Sequence, residues 1–374
     1  MPNTPPAHYL SRRTVLQTLA ASTSLGYRLA FSATPELSTQ AQAWRAMARV
    51  GYGPTPVLVE AVQAARNPRA WALQQVDAAF NASQQAPRIA PELADFNAAL
   101  PRISRGFQRE RELRSNSRSP AAPVQETEQA RRMDFSGARD PEHFSRMLVQ
   151  QAAAWRLSSC SQPELENPLL ARMTEFWFNH LNVFSGKGAV RPFTGHYVVN
   201  VARRHALGRF EDLLLASARH PAMLLYLDQA QSVADGTRGP EGRTRGLNEN
   251  YARELMELHT LGVDGGYSQT DVRELARVLT GWTVSREDVS GFRFVPRMHD
   301  PADKQVLGQR FPTAAVRRGV TEGEDAIRML ARHPATARRV SLRLAQFFVS
   351  DQPSPALVQR ISSIFSATQG DLRA

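Results

Sequence analysis

The sequence is poor in cysteine, lysine and unbroken apolar runs, and each shortage closes off a class of protein. Cys160 is the sole cysteine, so no intramolecular disulfide, cysteine-based metal cluster or CxxCH haem attachment can form. Any fold must stand on packing alone. No apolar run approaches 18 residues, and the greasier stretches are interrupted by Arg, Gln or Ser, which argues against stable membrane insertion. The common catalytic signatures are missing too: there is no GxSxG elbow, no GxxxxGK(S/T) phosphate loop, no HExxH, no GxGxxG and no EF-hand loop. Lysine occurs only at Lys187 and Lys304, although Lys and Arg together number 46 against 35 Asp and Glu. The formal charge of +11 is therefore spread along the chain as arginine rather than gathered in a patch. Such a distribution fits compositional bias and weak attraction to anions better than specific nucleic-acid recognition.

The N-terminus carries an address. Ser11-Arg12-Arg13-Thr14-Val15-Leu16 leads into the mildly apolar stretch from Leu16 to Gly26, and Arg28 follows it. This is the pattern of a twin-arginine signal, with Arg12 and Arg13 read by a receptor and the small residues of Ala30-Phe31-Ser32 suited to cleavage. The expected partner during export is the twin-arginine translocase, and the expected location is periplasmic or secreted. Export of folded protein favours a cofactor loaded beforehand.

Beyond the signal the apolar spacing is helical. Residues 1–32 are read as signal peptide, 33–113 as an N-terminal helical region, 114–140 as a flexible insertion rich in Gln, Pro, Arg and Ser, and 141–374 as the main helical domain. Helical patterns run over 166–184, 192–206, 209–228, 248–262, 268–281 and 322–365. Thr55 before Pro56 reads as a helix N-cap, as does Ser268 with Asp271 three residues later. The repeated pentapeptides Ala218-Arg219-His220-Pro221-Ala222 and Ala331-Arg332-His333-Pro334-Ala335 place a histidine at two helix–helix corners. Trp282–Val284 and Phe292–Val295 suit a short β-hairpin. The expected fold is mostly α, a multi-helical globular domain with a small β-hairpin.

Two motifs carry a resemblance. Met173-Thr174-Glu175-Phe176-Trp177-Phe178-Asn179-His180 and the run from Asn248 to Tyr267, with Arg49 to Pro54, Arg273 to Trp282 and His299-Asp300 leading to Lys304, resemble the bacterial family called domain of unknown function 1800. The resemblance implies a mostly helical exported protein, often encoded beside an exported sulfatase-like protein of another uncharacterised family, and it brings no catalytic assignment. Members of that family usually continue beyond the equivalent of Ala374, so the copy is expected to be C-terminally short. The apolar residues Leu357, Ile361, Ile364 and Phe365 are then expected to lack their cover.

Candidate chemistry comes from helix geometry. At 100° per residue, Met173, Trp177, Leu181 and Phe184 form one stripe with His180 at its edge, and Tyr251, Leu255, Leu258 and Gly262 form another, flanked by Glu254 and His259. Arg253 and Glu257 share the outer face of that second helix as an i,i+4 pair. His180, Glu254 and His259 converging from two helices would make a two-histidine, one-carboxylate set suited to a divalent metal with open positions. His299 and Asp300, on the loop after the hairpin, would add a ligand or general base, which makes Glu254, His299 and Asp300 the catalytic candidates. The alternative is that each histidine is a satisfied hydrogen bonder at a core edge. Two functions stand at this point: an exported helical scaffold or partner protein, and a metal-dependent hydrolase of an envelope or extracellular substrate.

Overall fold

The computed structural model describes residues 39–65, 67–116, 143–237, 246–312 and 319–374, which belong to one compact unit, Thr39–Ala374. Arg12, Arg13 and most of the 114–140 segment lie outside the described residues, as does most of the Gly- and Arg-rich stretch 236–246.

The fold is mostly helical with two small antiparallel sheets. Helices α1 (Thr39–Val50), α2 (Pro56–Ala64) and α3 (Pro68–Ser83) pack around a small cluster of Met47, Leu58, Val62 and Trp71. Thr55 caps α2 through its side chain, with Pro56 at the first helical position where a missing N–H costs nothing. Helix α4 (Leu100–Asn116) closes the expected N-terminal helical region and runs three residues into the segment expected to be a flexible insertion. Its buried face mixes Leu100 and Ile103 with Ser104, Gly106 and Glu110, too little apolar spacing to announce a helix. Glu110 turns that polarity to use. Its carboxylate is buried, accepts from Ser145 N–H at 2.9 Å and Ser145 Oγ at 3.0 Å, and so sits at the positive end of α5 (Phe144–Ser161).

The centre is built by α5, α6 (Pro168–His180), α7 (Thr194–Tyr197, continued by the π-helical Val198–Arg203), α8 (Phe210–Arg219) and α9 (Pro221–Tyr226). Trp177, Tyr197 and Phe210 are fully buried there, and Trp177 Nε1 and Tyr197 Oη each donate to a carbonyl, of Ala206 and Leu181. Helix α6 ends at His180, so Phe184 leaves the expected stripe and is 61% exposed. Both His-Pro corners form as read: His220 and His333 accept from the N–H groups of Ala222 and Ala335 through Nδ1, capping α9 and α13 (Pro334–Phe348).

Helix α10 (Glu249–Glu254) continues as a π-helical turn over Leu255–His259. A π turn adds a residue to the helical repeat and rotates everything after it. The buried set is consequently Tyr251, Ala252, Leu255, Met256 and His259, while Leu258, expected inside, is 46% exposed. Arg253 pairs with Glu249 rather than Glu257. Helix α11 (Gln269–Leu279) opens on a full Ser268–Asp271 capping box.

Strand β1 (Trp282–Val284) pairs with β2 (Phe292–Phe294) in the expected hairpin, Trp282 opposite Phe294. A second hairpin, β3 (Lys304–Val306) with β4 (Gln309–Phe311), packs on α11. The long 322–365 pattern resolves into α12 (Gly319–Arg332), α13 and α14 (Pro355–Ala367). On α14, Phe365 is buried against Phe210, contrary to its expected exposure, whereas Ile364 is 40% exposed and Leu357 and Ile361 are partly covered.

Candidate functional site

Helix α6 and the π turn do bring two of the expected residues together. The His180 ring lies nearly parallel to Phe176, with ring centres 6.1 Å apart, and meets Trp177 edge-on. Its Nε2 is 3.0 Å from the His259 carbonyl oxygen, which can only accept, so Nε2 carries the proton and Nδ1 the lone pair. Burial pushes the pKa of His180 down to about 4, opposed by that hydrogen bond and assisted by Arg339 and Arg343. His259 is pushed down to about 3 by burial, then by His180 and Arg339. Both rings are neutral at pH 7 and face cations of α13.

Glu254 does not join them. The charges acting on it are Glu257 and Arg253, and its carboxyl is raised by burial and then by Glu257. Among the described residues, no group of three or more His, Cys, Asp or Glu side chains is arranged to hold a metal ion. The physical reason lies in the π turn and in α13. The turn carries His259 into the core, while Arg339, which donates to the Leu258 carbonyl at 3.3 Å, supplies positive charge where a metal site needs a carboxylate.

His299 and Asp300 enter a different constellation. His299 Nδ1 is 2.9 Å from the Thr280 carbonyl and its Nε2 is 3.0 Å from Glu322 Oε2, while Lys304 Nζ donates to the other oxygen of Glu322 at 2.8 Å. All three side chains are buried. Both ring nitrogens of His299 thus lie within hydrogen-bond distance of an oxygen. One residue on, Asp300 accepts from Arg277 Nε at 2.7 Å and Nη2 at 3.3 Å, and Arg277 also binds Glu274 at 2.7 and 2.8 Å. Burial opposes ionisation of Asp300, but the Arg277 guanidinium and the Ala302 N–H outweigh it and hold the carboxyl below its ordinary value. Asp300 is therefore a salt-bridge partner before it is a base. Together the two networks tie α11, α12 and the β3–β4 hairpin to one another.

Residues 45–374 match the family model described as protein of unknown function (DUF1800). The chain belongs to that family. Neither the curated proteins nor the solved structures yield a match. Within this DUF1800 member, the stretch Arg273 to Trp282 supplies Glu274, Arg277 and Thr280 to the networks, and His299-Asp300 with Lys304 supplies their other side.

Three polar clusters escaped the sequence reading. Glu322, the hub of the buried triad, lies in the acidic-looking run Glu322-Gly323-Glu324-Asp325, which reads as a solvated helix start. Glu166 and Arg203 form a buried bidentate pair, at 2.5 and 3.3 Å, that no local spacing announces. His196 and His220 meet at 2.9 Å. Because His220 Nδ1 accepts from Ala222 N–H, the neutral ring carries its proton on Nε2 and donates it to His196 Nδ1. Cys160 is not an activated nucleophile, since burial pushes its thiol up.

Proposed function

We propose that this DUF1800 member is exported by the twin-arginine route through Arg12 and Arg13 and acts, in the periplasm or outside the cell, as a helical partner of another exported protein. The family resemblance names the partner class, a sulfatase-like protein. The observation that carries the reading is that Asp300 is tied to Arg277 and Glu322 to Lys304 and His299, while Glu254 stands apart from both histidines. In these contacts the two carboxylates brace α11, α12 and the β3–β4 hairpin. The competing metal-dependent hydrolase would need His180, His259 and a carboxylate around one ion, next to Arg339 and Arg343.

The decisive experiment purifies the mature protein alone and after co-expression with an adjacent-encoded sulfatase-like protein, and measures bound metal in both. A stoichiometric complex with metal-free scaffold is the expected result. Stoichiometric metal in the isolated protein, lost in folded His180→Ala and His259→Ala variants, overturns it in favour of the hydrolase. The export claim is read separately: Arg12→Lys with Arg13→Lys leaves the protein in the cytoplasm, and undiminished export of that variant would refute it.

A further inference from the structure

A cavity of about 120 Å³ opens between α4, the start of α9 and the β1 end of the first hairpin. Its walls include Phe107, Phe193, Leu225 and Val284, and Arg111 and Arg286 line it as well. Both arginines are exposed, and unlike most arginines of this fold neither has a carboxylate, carbonyl or aromatic partner among the described residues. A cavity near 150 Å³ is about the size that admits one benzene ring. An apolar recess of that order flanked by two unspent cations is complementary to a compact apolar group bearing one negative charge.

We propose that this cavity is a binding site for a carboxylate attached to a compact apolar body, such as a phenyl or branched alkyl group. The apolar body fills the recess, where burial supplies attraction without direction, and Arg111 and Arg286 receive the carboxylate. Two sources share this chemistry: a free apolar acid, and the C-terminal residue of a peptide ending in Phe or Leu. The site stands apart from the His299–Glu322–Lys304 network and does not depend on the partner-protein reading.

The test titrates the full mature protein with phenylacetate and with an acetylated tripeptide ending in Phe, using calorimetry, with the C-terminal amide of the same peptide and inorganic phosphate as controls. We expect saturable binding of at least one carboxylate, which source binds more tightly identifying the ligand class. The amide and phosphate should bind at least tenfold more weakly. Arg111→Gln and Arg286→Gln, both changes on exposed side chains, should each weaken carboxylate binding at least tenfold. Ala189→Trp, an exposed lining position filled by a larger ring, should abolish it. Failure of both carboxylates to bind, equal binding of the amide, phosphate binding as tight as the acids, or binding unchanged in the double arginine variant would overturn the proposal. Far-UV circular dichroism on each variant separates loss of binding from loss of fold.

Discussion

Single side chains in this protein are priced by burial. Lys304 and Glu322 are both almost out of reach of water, so their attraction is bound up with a desolvation penalty that only the complete set offsets. Lys304→Met strands the Glu322 carboxylate and should cost about 3–5 kcal/mol in chemical denaturation. Adding Glu322→Leu should recover part of that loss; a double variant as unstable as the sum of the singles would mean that the two groups are not coupled. The histidines make the opposite case, since they are kept neutral. The unfolded His259 ring protonates near 6.5, whereas the folded ring stays neutral down to about 3. Between those values the unfolded chain binds more protons, so stability is complete above about pH 6.5 and falls as the pH drops toward 3. From pH 7 to pH 5, His259 alone should account for about 2 kcal/mol, with His180 and His196 acting in the same direction. Urea midpoints measured across that range check it, and a flat profile would mean that these rings are hydrated rather than buried.

At the level of elements, one glycine shows how closely the pieces approach. Gly281 has φ +83°, and a Cβ there would lie 2.8 Å from the Val295 carbonyl oxygen, in the joint between α11 and the first hairpin. Gly308 has nearly the same φ, +80°, with nothing near its missing Cβ. Gly281→Ala should therefore cost more than the roughly 1–3 kcal/mol of backbone strain that Gly308→Ala also incurs. Equal melting temperatures for the two variants would remove the packing contribution. What the sequence made legible was local: the Ser268–Asp271 box, the Thr55-Pro56 start, the two His-Pro corners and the Trp282 to Phe294 hairpin all rest on contacts within a few residues. What it concealed was periodic or distant. A reading at 100° per residue cannot see the π turn at Leu255–His259, and that single extra residue buries His259 and exposes Leu258. The β3–β4 hairpin turns through Leu307 at φ +50° and Gly308 at φ +80°, and the leucine at the first turn position masks what the glycine signals. Glu322 finds Lys304 and His299 from 18 and 23 residues away, beyond any local pattern. The candidate site was thus half legible: His299, Asp300 and Lys304 were noticed, and the carboxylate that joins two of them was not.

For the molecule as a whole, one apolar core runs from Ala79 to Phe365, and it recruits Leu100 and Ile103 from α4 together with Phe144 and Leu148 from α5. From α3 to α14 stability is consequently shared rather than stored in separate lobes, while the smaller cluster of Met47, Leu58, Val62 and Trp71 stands beside it. The buried Glu110 cap adds to this, because it fastens the helix that precedes residue 117 to the start of the helix that follows residue 142. Those two helices should therefore stay together when the chain between them is cut. A chain carrying an engineered protease site within 117–142, cut under native conditions, should elute as one species and keep its circular dichroism, and separation of the pieces on cutting would refute this. The protein would in that case behave as a two-part kit, able to reassemble from separately made halves whose meeting is reported by a carboxylate finding the end of a helix.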